Sequence, residues 1–508
     1  MSTHRKDKAA TITLWALFIA VAAIRIALAF QSQLPDFEAY DQLRHVESIR
    51  ESGTPLFQDG LGFGGRERLF SPLYHYLLAA FSFILPKIWL VKVVPTILTA
   101  AIVFPAYKLG TLLTSKRRLA LITALFTGAV PALFFISVND ASPLGPVLAL
   151  FYTAWYLFLK SRKTGRHLRW LLAAFVILTL LHPFAIVFVV SVALYLVLLQ
   201  LQRVKTTPKE SELLLFFTLF TTWFLLVLFK RAFVAHGAAV IWQNIPSAEL
   251  NLIFTNITLL EAIASTGLVV LVLGAIALYN GITSVKRKPL LAMTAVITTA
   301  LILLGFRLAP LRVGLALLST SLAIAGGHAL ESMDSYLRKT RAPALANWSL
   351  AGLIILFGLA TLPTLAGQAM VEPPSQGTAD VLEWAKENTG DDAVILASPR
   401  EGDLIAAVAE RRTVIDDNYL LIPRAEERYR DAREVYTSFF KTDAIGLMQR
   451  YGATHLLVSP ETRAWSGTEQ PAYLGDDCFK RVIASTDDQD RTTLLYERTC
   501  SLRGEDDA

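Results

Sequence analysis

Residues 11–48 read TITLWALFIAVAAIRIALAFQSQLPDFEAYDQLRHVES, and the character of the chain changes after Phe30. The apolar part, 11–30, is long enough to cross the hydrocarbon core of a bilayer, which takes about 20 residues of helix. Directly after it stand Asp36 and Glu38, two carboxylates two positions apart. Such a pair is typical of a solvated loop, but at a membrane surface it is also a candidate site for a hard metal ion. The choice depends on what else reaches the same surface.

The composition indicates a polytopic membrane protein with a soluble tail. The chain has 508 residues, of which 54% are hydrophobic and 18% charged, and its mean hydropathy is +0.46. Soluble domains carry about 25% charged residues. Residues 1–370 consist of apolar segments broken by short basic clusters, whereas 371–508 have the composition of a soluble domain. The net charge of +6 lies in those short clusters, which is typical of membrane orientation and predicts no nucleic-acid partner.

Eleven apolar segments are candidate membrane-spanning helices. His182-Pro183 separates two of them, and the same proline would also fit one long, kinked helix. Residues 70–86 are shorter, aromatic and bounded by proline, so we predict an interfacial or re-entrant helix within a first outer loop, 31–87. The eleven candidates are 11–30, 88–113, 117–137, 143–160, 168–182, 184–202, 211–230, 257–282, 289–306, 311–330 and 345–367.

Lysine and arginine clusters predict which side each loop faces. With a cytoplasmic N-terminus, every inner loop is basic: HRKDK, SKRR, KSRKTGRHLR, QRVKTTPK, KRK and LRKTR. An odd number of spans then puts the acidic segment 34–48 and the tail 371–508 on the same, extracytoplasmic side. We therefore expect a multi-pass protein of the cell (plasma) membrane with its C-terminal domain outside.

The tail is predicted to be a small α/β domain, because helical and strand patterns alternate along it. A helix is expected over 378–389 with Thr378 as its N-cap. The segments FKRVIAST and RTTLLYER predict a hairpin around DDQD. If the turn centres on Gln489, Cys478 faces Cys500, and we predict a disulfide between them; two free buried thiols are the alternative.

Two segments of the first outer loop carry a family resemblance. DFEAYDQLR (36–44) and ESGTPLFQDGLGFGGRERLFSPLYHYLLAA (51–80) resemble the first outer loop of the GT-C glycosyltransferases, above all archaeal and bacterial relatives of the oligosaccharyltransferase catalytic subunit. That family places an acidic-x-acidic pair at the end of its first span and an arginine six residues later. Asp36, Glu38 and Arg44 match this spacing.

The resemblance extends along most of the chain. Asn139-Asp140 stand where the family has a second acidic motif, and GFRLAPLRVGLALL (305–318) resembles its late arginine-bearing turn. DDAVILASPREGDLIAAVAERRTVIDDNYL (391–420) resembles the start of the outer domain of the oligosaccharyltransferase branch. That branch holds the acceptor serine or threonine with a Trp-Trp-Asp-Tyr-Gly motif. Here Ser398-Pro399-Arg400-Glu401-Gly402 take its place, so the resemblance does not imply glycosylation of asparagine sequons.

The resemblance implies a transferase that moves a sugar or oligosaccharide from a polyprenyl- or dolichyl-(pyro)phosphate donor to a protein or glycan acceptor on the outer face. A divalent cation, Mg²⁺ or Mn²⁺, held by carboxylates would stabilise the departing phosphate. Glu38 and Asp36 are the candidate catalytic residues, Glu38 being the better candidate for the catalytic carboxylate, and Asp36, Glu38 and Asp140 are the candidate metal ligands. Asp140 is equally interpretable as the cap of a helix that begins near Pro143.

Basic side chains near the outer surface are candidates for contacts with the donor phosphate or substrate. Arginine suits this task because its guanidinium group binds phosphate in a bidentate manner, although interfacial snorkelling is the alternative. Snorkelling is the expected role of Arg25, which lies within the first span. The candidates are Arg44, His45, Arg66, Arg307 and Arg312.

Two other classes of function remain open. One is a non-catalytic membrane scaffold or assembly subunit built on the same fold, which the missing Trp-Trp motif favours. The other is a transporter, which is disfavoured because the sequence has no inverted repeat and no matching pair of broken helices.

Overall fold

The computed structural model describes residues 2–161, 167–255, 257–283, 286–368, 373–475 and 477–502. Up to residue 368 the fold is helical, apart from a small antiparallel hairpin of β1 (Gln58–Asp59) and β2 (Arg66–Glu67). The helices are α1 (Ser2–Ala29), α2 (Phe37–Ser52), α3 (Leu73–Ser82), α4 (Lys87–Ala100), α5 (Val103–Leu113), α6 (Arg117–Ala129), α7 (Pro131–Phe134), α8 (Leu144–Ser161), α9 (Leu168–Leu181), α10 (Ala185–Leu201), α11 (Pro208–His236), α12 (Ser247–Thr255), α13 (Leu259–Thr266), α14 (Leu268–Thr283), α15 (Lys288–Gly305), α16 (Leu311–Leu337) and α17 (Leu345–Gln368).

Six stretches of the described residues are long and apolar enough to cross a membrane. Helices α13 and α14 meet at 83° and add a seventh if they form one broken span; the bend lies at Gly267, whose φ is +81°. Of the other predicted spans, 117–137 is interrupted at Pro131, and 168–182 and 184–202 coincide with helices of 14 and 17 residues on either side of Pro183. The span 143–160 coincides with α8, and the count of eleven stays a prediction. The six are Lys8–Ala29, Lys87–Leu113, Pro208–Trp242, Lys288–Gly305, Leu311–Leu337 and Leu345–Leu365.

Helix α16 forms the centre of the helical part and is buried along almost its whole length. Small residues allow its neighbours to approach closely, as membrane helices commonly require. A Cβ atom on Gly274 of α14 would lie 2.6 Å from the Leu322 side chain of α16. The Tyr152 hydroxyl of α8 bonds to Thr320 Oγ1 at 2.7 Å and to Ser321 Oγ at 2.8 Å. Close packing and buried hydroxyl pairs therefore anchor the helix whose first turn carries Arg312.

The segment between α1 and α4 folds against the end of the helical part. Asp36 caps α2, and Gly53 ends it in the left-handed conformation with φ +77°. Helix α3 has 10 residues, about 15 Å of helix, which is too short to cross a bilayer. It lies within the predicted interfacial helix 70–86 and packs on α2 and α4.

The tail contains a five-stranded mixed sheet. Its strands are β3 (Val394–Leu396), β4 (Arg412–Thr413), β5 (His455–Val458), β6 (Phe479–Thr486) and β7 (Thr492–Arg498), in the order β4-β3-β5-β7-β6. Strand β3 is parallel to β4 and β5, whereas β7 is antiparallel to β5 and β6. The helices are α18 (Gln376–Asn388), α19 (Gly402–Val408), α20 (Ala425–Thr437), α21 (Lys441–Arg450) and α22 (Pro460–Ser466). The predicted boundary at 370/371 lies outside the described residues.

Alternate residues of β5 point to opposite faces of this sheet and so divide the core of the tail in two. Leu456 packs towards α20 and α21, while Leu457 packs towards α18 and α19. The second core also contains Phe37, Tyr40 and Leu43 of α2. One helix of the first loop is therefore part of the hydrophobic core of the tail.

Helix α18 begins two residues before the predicted start. Its N-cap is Ser375, whose hydroxyl accepts a hydrogen bond from the Thr378 N–H at 3.0 Å. The prediction of Thr378 as the cap is wrong because Ser375 offers the same chemistry one turn earlier.

The hairpin of β6 and β7 has the register expected for a turn centred on Gln489. Ile483 pairs with Leu495, and a one-residue irregularity at Val482 shifts the pairing nearer the hairpin base. Just beyond the strands, Cys478 and Cys500 form a disulfide with a Cα–Cα distance of 4.9 Å.

Candidate functional site

Two loops that are far apart in sequence are tied together beside the N-terminus of α2. The Asp36 N–H donates a hydrogen bond to the Asn139 carbonyl oxygen at 3.0 Å. The Asn139 side-chain amide donates to Ser32 Oγ at 3.1 Å and to the Leu34 carbonyl at 3.3 Å. Asn139 has a φ of +67°, a conformation that asparagine adopts more readily than most residues. These contacts bring Asp36 and Asp140 to one place.

Two fully buried side chains, Lys92 and Arg25, donate hydrogen bonds to residues next to these loops. Lys92 Nζ of α4 donates to the Ala29 carbonyl at 2.9 Å, at the C-terminus of α1, and to the Ser32 carbonyl at 2.6 Å. Arg25 Nη1 donates to Ser137 Oγ at 2.7 Å, and its guanidinium lies 3.8 Å from the centre of the Phe134 ring. Arg25 is 0% exposed, so the expectation that it snorkels to the interface is wrong.

Asp36, Glu38 and Asp140 form a group of three carboxylates, called here the acidic triad. Asp36 is buried, Asp140 is half-buried and Glu38 is exposed. Burial raises the pKa of Asp36 to about 6, and the neighbouring Glu38 contributes in the same direction. Burial likewise raises the pKa of Asp140 well above its usual range, and the carboxylates of Glu38 and Asp36 raise it further. Mutual repulsion of this kind is what a bound cation relieves.

Two arginines from opposite parts of the chain act on the triad. Arg312, in the first turn of α16, counteracts the raised pKa of both Asp36 and Asp140. Arg400 of the tail places Nη2 3.5 Å from Asp36 Oδ1, and its guanidinium lies 4.8 Å from the centre of the Phe37 ring. Sequence reasoning selected Arg312 but missed Arg400. The signal was present, because Arg400 stands within the segment that replaces the family's Trp-Trp motif.

Further acidic residues line the same cleft on its tail side. Desolvation inside the cleft raises the pKa of Asp417 well above its usual range, and nearby carboxylates, including that of Glu38, add to the effect. Glu249 of α12 is half-buried, and its Oε2 accepts a hydrogen bond from the Tyr419 hydroxyl at 2.6 Å. Burial raises the pKa of Glu249. The cleft is thus lined by the first loop, α12, the start of α16 and the tail.

A separate network, called here the arginine lattice, joins the first loop to the tail. Arg44 binds Asp59 at 2.5 Å and Asp403 at 2.5 Å. Arg66 binds Asp416 at 2.6 Å, and a third arginine, Arg68, binds Asp41 at 2.5 Å and lies 3.6 Å from both Asp59 and Asp403. These guanidinium groups are buried, with side-chain exposures of 2–6%. Arg44 and Arg66 are therefore paired with carboxylates of the protein, and their contact with a donor phosphate stays a prediction.

The lattice contains a group of carboxylates that is compact enough for a metal ion. Among the described residues, Asp59, Asp403 and Asp416 have ligand oxygens that all lie within 4.8 Å of one another. Each of them already binds an arginine, so an ion there would have to displace buried guanidinium groups. The acidic triad is more widely spaced. Its chemistry nevertheless fits a cation better, because Asp140 Oδ1 is buried and has no hydrogen-bond partner in the described part of the chain.

The remaining candidates lie apart from the triad. His45 is buried, its Nδ1 accepts a hydrogen bond from the Leu56 N–H at 3.2 Å, and its ring centre lies 4.0 Å from that of His75. Burial and the nearby Arg68 lower the pKa of His45 well below its usual range, so the ring is neutral. Arg307 is exposed, and its carbonyl oxygen accepts a hydrogen bond from the Trp242 indole at 3.1 Å.

The fold with this site resembles known structures over almost the whole chain. It matches the oligosaccharyltransferase of Archaeoglobus fulgidus in its apo form with a TM-score of 0.67 at 13% identity, covering 96% of this chain and 74% of that one. The chain has the GT-C fold. No protein-family model and no curated protein matches its sequence.

Two further structures share the GT-C fold with this chain. ArnT from Cupriavidus metallidurans, bound to undecaprenyl phosphate, has a TM-score of 0.54 at 12% identity, covering 96% of this chain and 99% of that one. The arabinofuranosyltransferase AftD from Mycobacteria has a TM-score of 0.56 at 15% identity, covering 95% of this chain and 40% of that one. The A. fulgidus enzyme has also been solved with Zn and sulfate, and with dolichol-phosphate and an inhibitory peptide.

Proposed function

We propose that the chain is a membrane glycosyltransferase. It moves a sugar or oligosaccharide from a polyprenyl- or dolichyl-(pyro)phosphate to a protein or glycan acceptor on the outer face of the cell membrane. One observation carries the proposal: Asp36, Glu38 and Asp140, from two separate loops, converge beside Arg312 of α16. Carboxylates for a cation and an arginine for a phosphate are the groups that departure of a lipid phosphate requires.

The structural neighbours support the same class of reaction. Their structures hold undecaprenyl phosphate in ArnT and dolichol-phosphate in the oligosaccharyltransferase, and the latter has also been solved with a tethered acceptor peptide. At 12–14% identity these likenesses concern the fold, so the donor and acceptor classes rest on the residues of this chain.

Within the proposal each side chain has a defined task. Asp36, Glu38 and Asp140 are the ligands of a divalent cation, Mg²⁺ or Mn²⁺, which neutralises charge on the departing phosphate. Glu38, the exposed member of the triad, is the carboxylate that accepts a proton from the acceptor nucleophile. Arg312 binds the donor phosphate from the membrane side. The acceptor approaches from the tail side, past Asp417.

The proposed topology follows the basic loops. The N-terminus is cytoplasmic, and the tail 371–508 is extracytoplasmic together with the loop that carries Asp36. This arrangement puts the cleft at the outer surface of the membrane, where a lipid-linked donor enters from the bilayer.

The test is sugar release from a lipid-linked donor by the purified protein in liposomes. Glu38→Gln should lower the rate at least about 100-fold, because a positioned general base contributes about 10²–10⁴-fold. Asp36→Asn should lower it as well and should weaken the dependence on added Mn²⁺. Glu47→Gln is the matched control, since Glu47 lies on the same helix and its only described ion pair is with exposed Lys87. Full activity of both triad variants would refute the assignment.

A non-catalytic subunit on the same fold is the second candidate. Arg400 already occupies one oxygen of Asp36, and the tail has no Trp-Trp motif. In that case Glu38→Gln and Asp36→Asn leave cellular glycoconjugates unchanged, whereas deletion of the whole chain alters them.

A further inference from the structure

Arg400 differs from the arginines of the lattice in how it is held. Arg44, Arg66 and Arg68 are buried and each has a carboxylate partner at 2.5–2.6 Å. The Arg400 side chain is 41% exposed, and its ion pairs are longer, at 3.5 Å to Asp36 and 3.3 Å to Glu461. The Asp36 side chain of this pair is 8% exposed, but the long contact and the solvent-exposed guanidinium keep its contribution to stability small. The Arg400 guanidinium is thus free to change partner.

A capping box holds the backbone beneath Arg400, so a rotation of its side chain is enough for a change of partner. Ser398 and the buried Glu401 form a capping box around the turn that carries it, and Ser398 Oγ donates to Glu401 Oε2 at 2.8 Å. The stem of Arg400 starts at this rigid turn and reaches Asp36 across the junction between tail and first loop. A rotation of the side chain changes its contact with Asp36 and leaves the docking of the tail intact.

Arg400 and a divalent cation compete for the same carboxylate. Asp36 Oδ1, the oxygen nearest to Arg400, already accepts the Phe37 N–H at 2.7 Å. A cation bound to Asp36 would also lie close to the positive guanidinium, and the two positive charges repel each other. Removal of Arg400 from Asp36 therefore favours the cation.

An anionic group on the substrate is the natural new partner for this guanidinium. Arg312, in the first turn of α16, and Arg400, in the tail, both act on Asp36, so a phosphate beside Asp36 could be bound by two arginines. Arginine binds phosphate through two parallel charge-assisted N–H···O bonds, whereas Asp36 offers Arg400 one long contact. They would outcompete the 3.5 Å contact with Asp36.

We propose that Arg400 is a phosphate-binding residue supplied by the tail, which rests on Asp36 in the free protein. When a phosphate draws it away, Asp36 becomes available to the divalent cation, so cation and phosphate bind cooperatively. This inference rests on the proposed metal site at the triad and adds to it a coupling between substrate and cation. Because binding linkage is reciprocal, the cation must tighten phosphate binding by the same factor.

The experiment is a Mn²⁺ titration of the full-length protein in nanodiscs, followed by electron paramagnetic resonance, with and without undecaprenyl phosphate. In wild type the lipid should tighten Mn²⁺ binding at least tenfold. Arg400→Gln should bind Mn²⁺ at least tenfold more tightly than wild type without lipid, and the lipid should add much less. Arg400→Lys should stay near wild type. Arg430→Gln is the control, because Arg430 is an exposed tail arginine whose described ion pair is with Asp431.

The outcomes separate this inference from the proposed function. Equal Mn²⁺ affinity of wild type and Arg400→Gln without lipid, or weaker binding by the variant, overturns the role of Arg400 and leaves the metal site standing. Absence of Mn²⁺ binding in every protein overturns the metal site itself and the inference with it. Inorganic phosphate in place of the lipid tells whether the headgroup alone produces the coupling.

Discussion

The backbone N–H of Asp36 donates a hydrogen bond to the carbonyl oxygen of Asn139 at 3.0 Å. This contact joins the first loop to the loop that carries Asp140, and the Asn139 side chain adds two hydrogen bonds to the same junction. The position of Asp36 relative to Asp140 therefore depends on Asn139, which has no proposed role in the reaction.

Asn139→Ala should destabilise the protein and weaken Mn²⁺ binding. It removes two hydrogen bonds, to the Leu34 carbonyl and to the Ser32 hydroxyl, at about 1 kcal/mol each, and puts alanine at a positive φ. Thermal unfolding and Mn²⁺ titration measure the two effects. An unchanged Mn²⁺ affinity would show that the second loop does not take part in the site.

Asp36→Asn should stabilise the cation-free protein at neutral pH. Burial raises the folded-state pKa of Asp36 to about 6, above its ordinary value of 3.8, so the folded protein holds the proton more tightly than the unfolded chain. The stability that Asp36 contributes is present below pH 3.8 and is lost as the pH rises to about 6. Asparagine also caps a helix well, so α2 keeps its N-cap. Unfolding curves at pH 4 and pH 7 check this: the variant should gain over wild type only at the higher pH.

Mn²⁺ affinity should rise as the pH increases from 5 to 7. The ion needs the ionised form of Asp36, whose pKa is about 6 without the ion. Titrations at several pH values measure this dependence, which Asp36→Asn should reduce, while Asp140, whose pKa is also raised, keeps part of it. A pH-independent affinity in wild type would place the ion elsewhere.

Arg44→Gln should cost about 3–5 kcal/mol, because it leaves Asp59 and Asp403 buried with less positive charge around them. The junction between first loop and tail should then open to proteolysis. Lys87→Gln is the comparison, since the exposed pair of Lys87 and Glu47 is worth at most about 1 kcal/mol. If both variants unfold alike, the lattice is not what holds the tail.

Arg312→Gln should raise the KM for a lipid-phosphate donor, and Arg307→Gln should not. Arg312 acts on Asp36 and Asp140, whereas neither carboxylate has a described interaction with Arg307. The two variants remove the same charge from neighbouring exposed positions, so nonspecific membrane effects cancel. Steady-state kinetics at varied donor concentration measure the KM of each variant. An equal rise in KM for both variants would contradict the role of Arg312 in donor binding.

Replacing both Cys478 and Cys500 by serine should lower the stability of the tail by about 3 kcal/mol, the loop-closure value for a separation of 22 residues. Thermal unfolding measures the loss.

The same two cysteines report which side of the membrane the tail faces. After reduction in intact cells, a membrane-impermeant thiol reagent should modify both cysteines. Modification only after cell lysis would put the tail in the cytoplasm.

Local patterns predicted much of this architecture, and long-range contacts account for what they missed. The hairpin register and the Cys478–Cys500 disulfide could be predicted because spacing along the chain encodes them. The pairing of Arg44 with Asp403 could not be predicted, because Asp403 lies 359 positions away and only the docking of the tail brings it near. Arg400 was overlooked for the same reason. The count of eleven spans stays a prediction, because apolar composition does not reveal where a proline such as Pro131 interrupts a helix.

Helix α2 follows the first apolar segment in sequence, yet Phe37, Tyr40 and Leu43 lie in the hydrophobic core of the tail. During synthesis this apolar face is made early, and it stays exposed until the tail has been synthesised. A truncated chain thus exposes it permanently to chaperones and proteases. A chimera that replaces the tail by that of a relative must replace α2 as well, because α2 and the tail share one hydrophobic core.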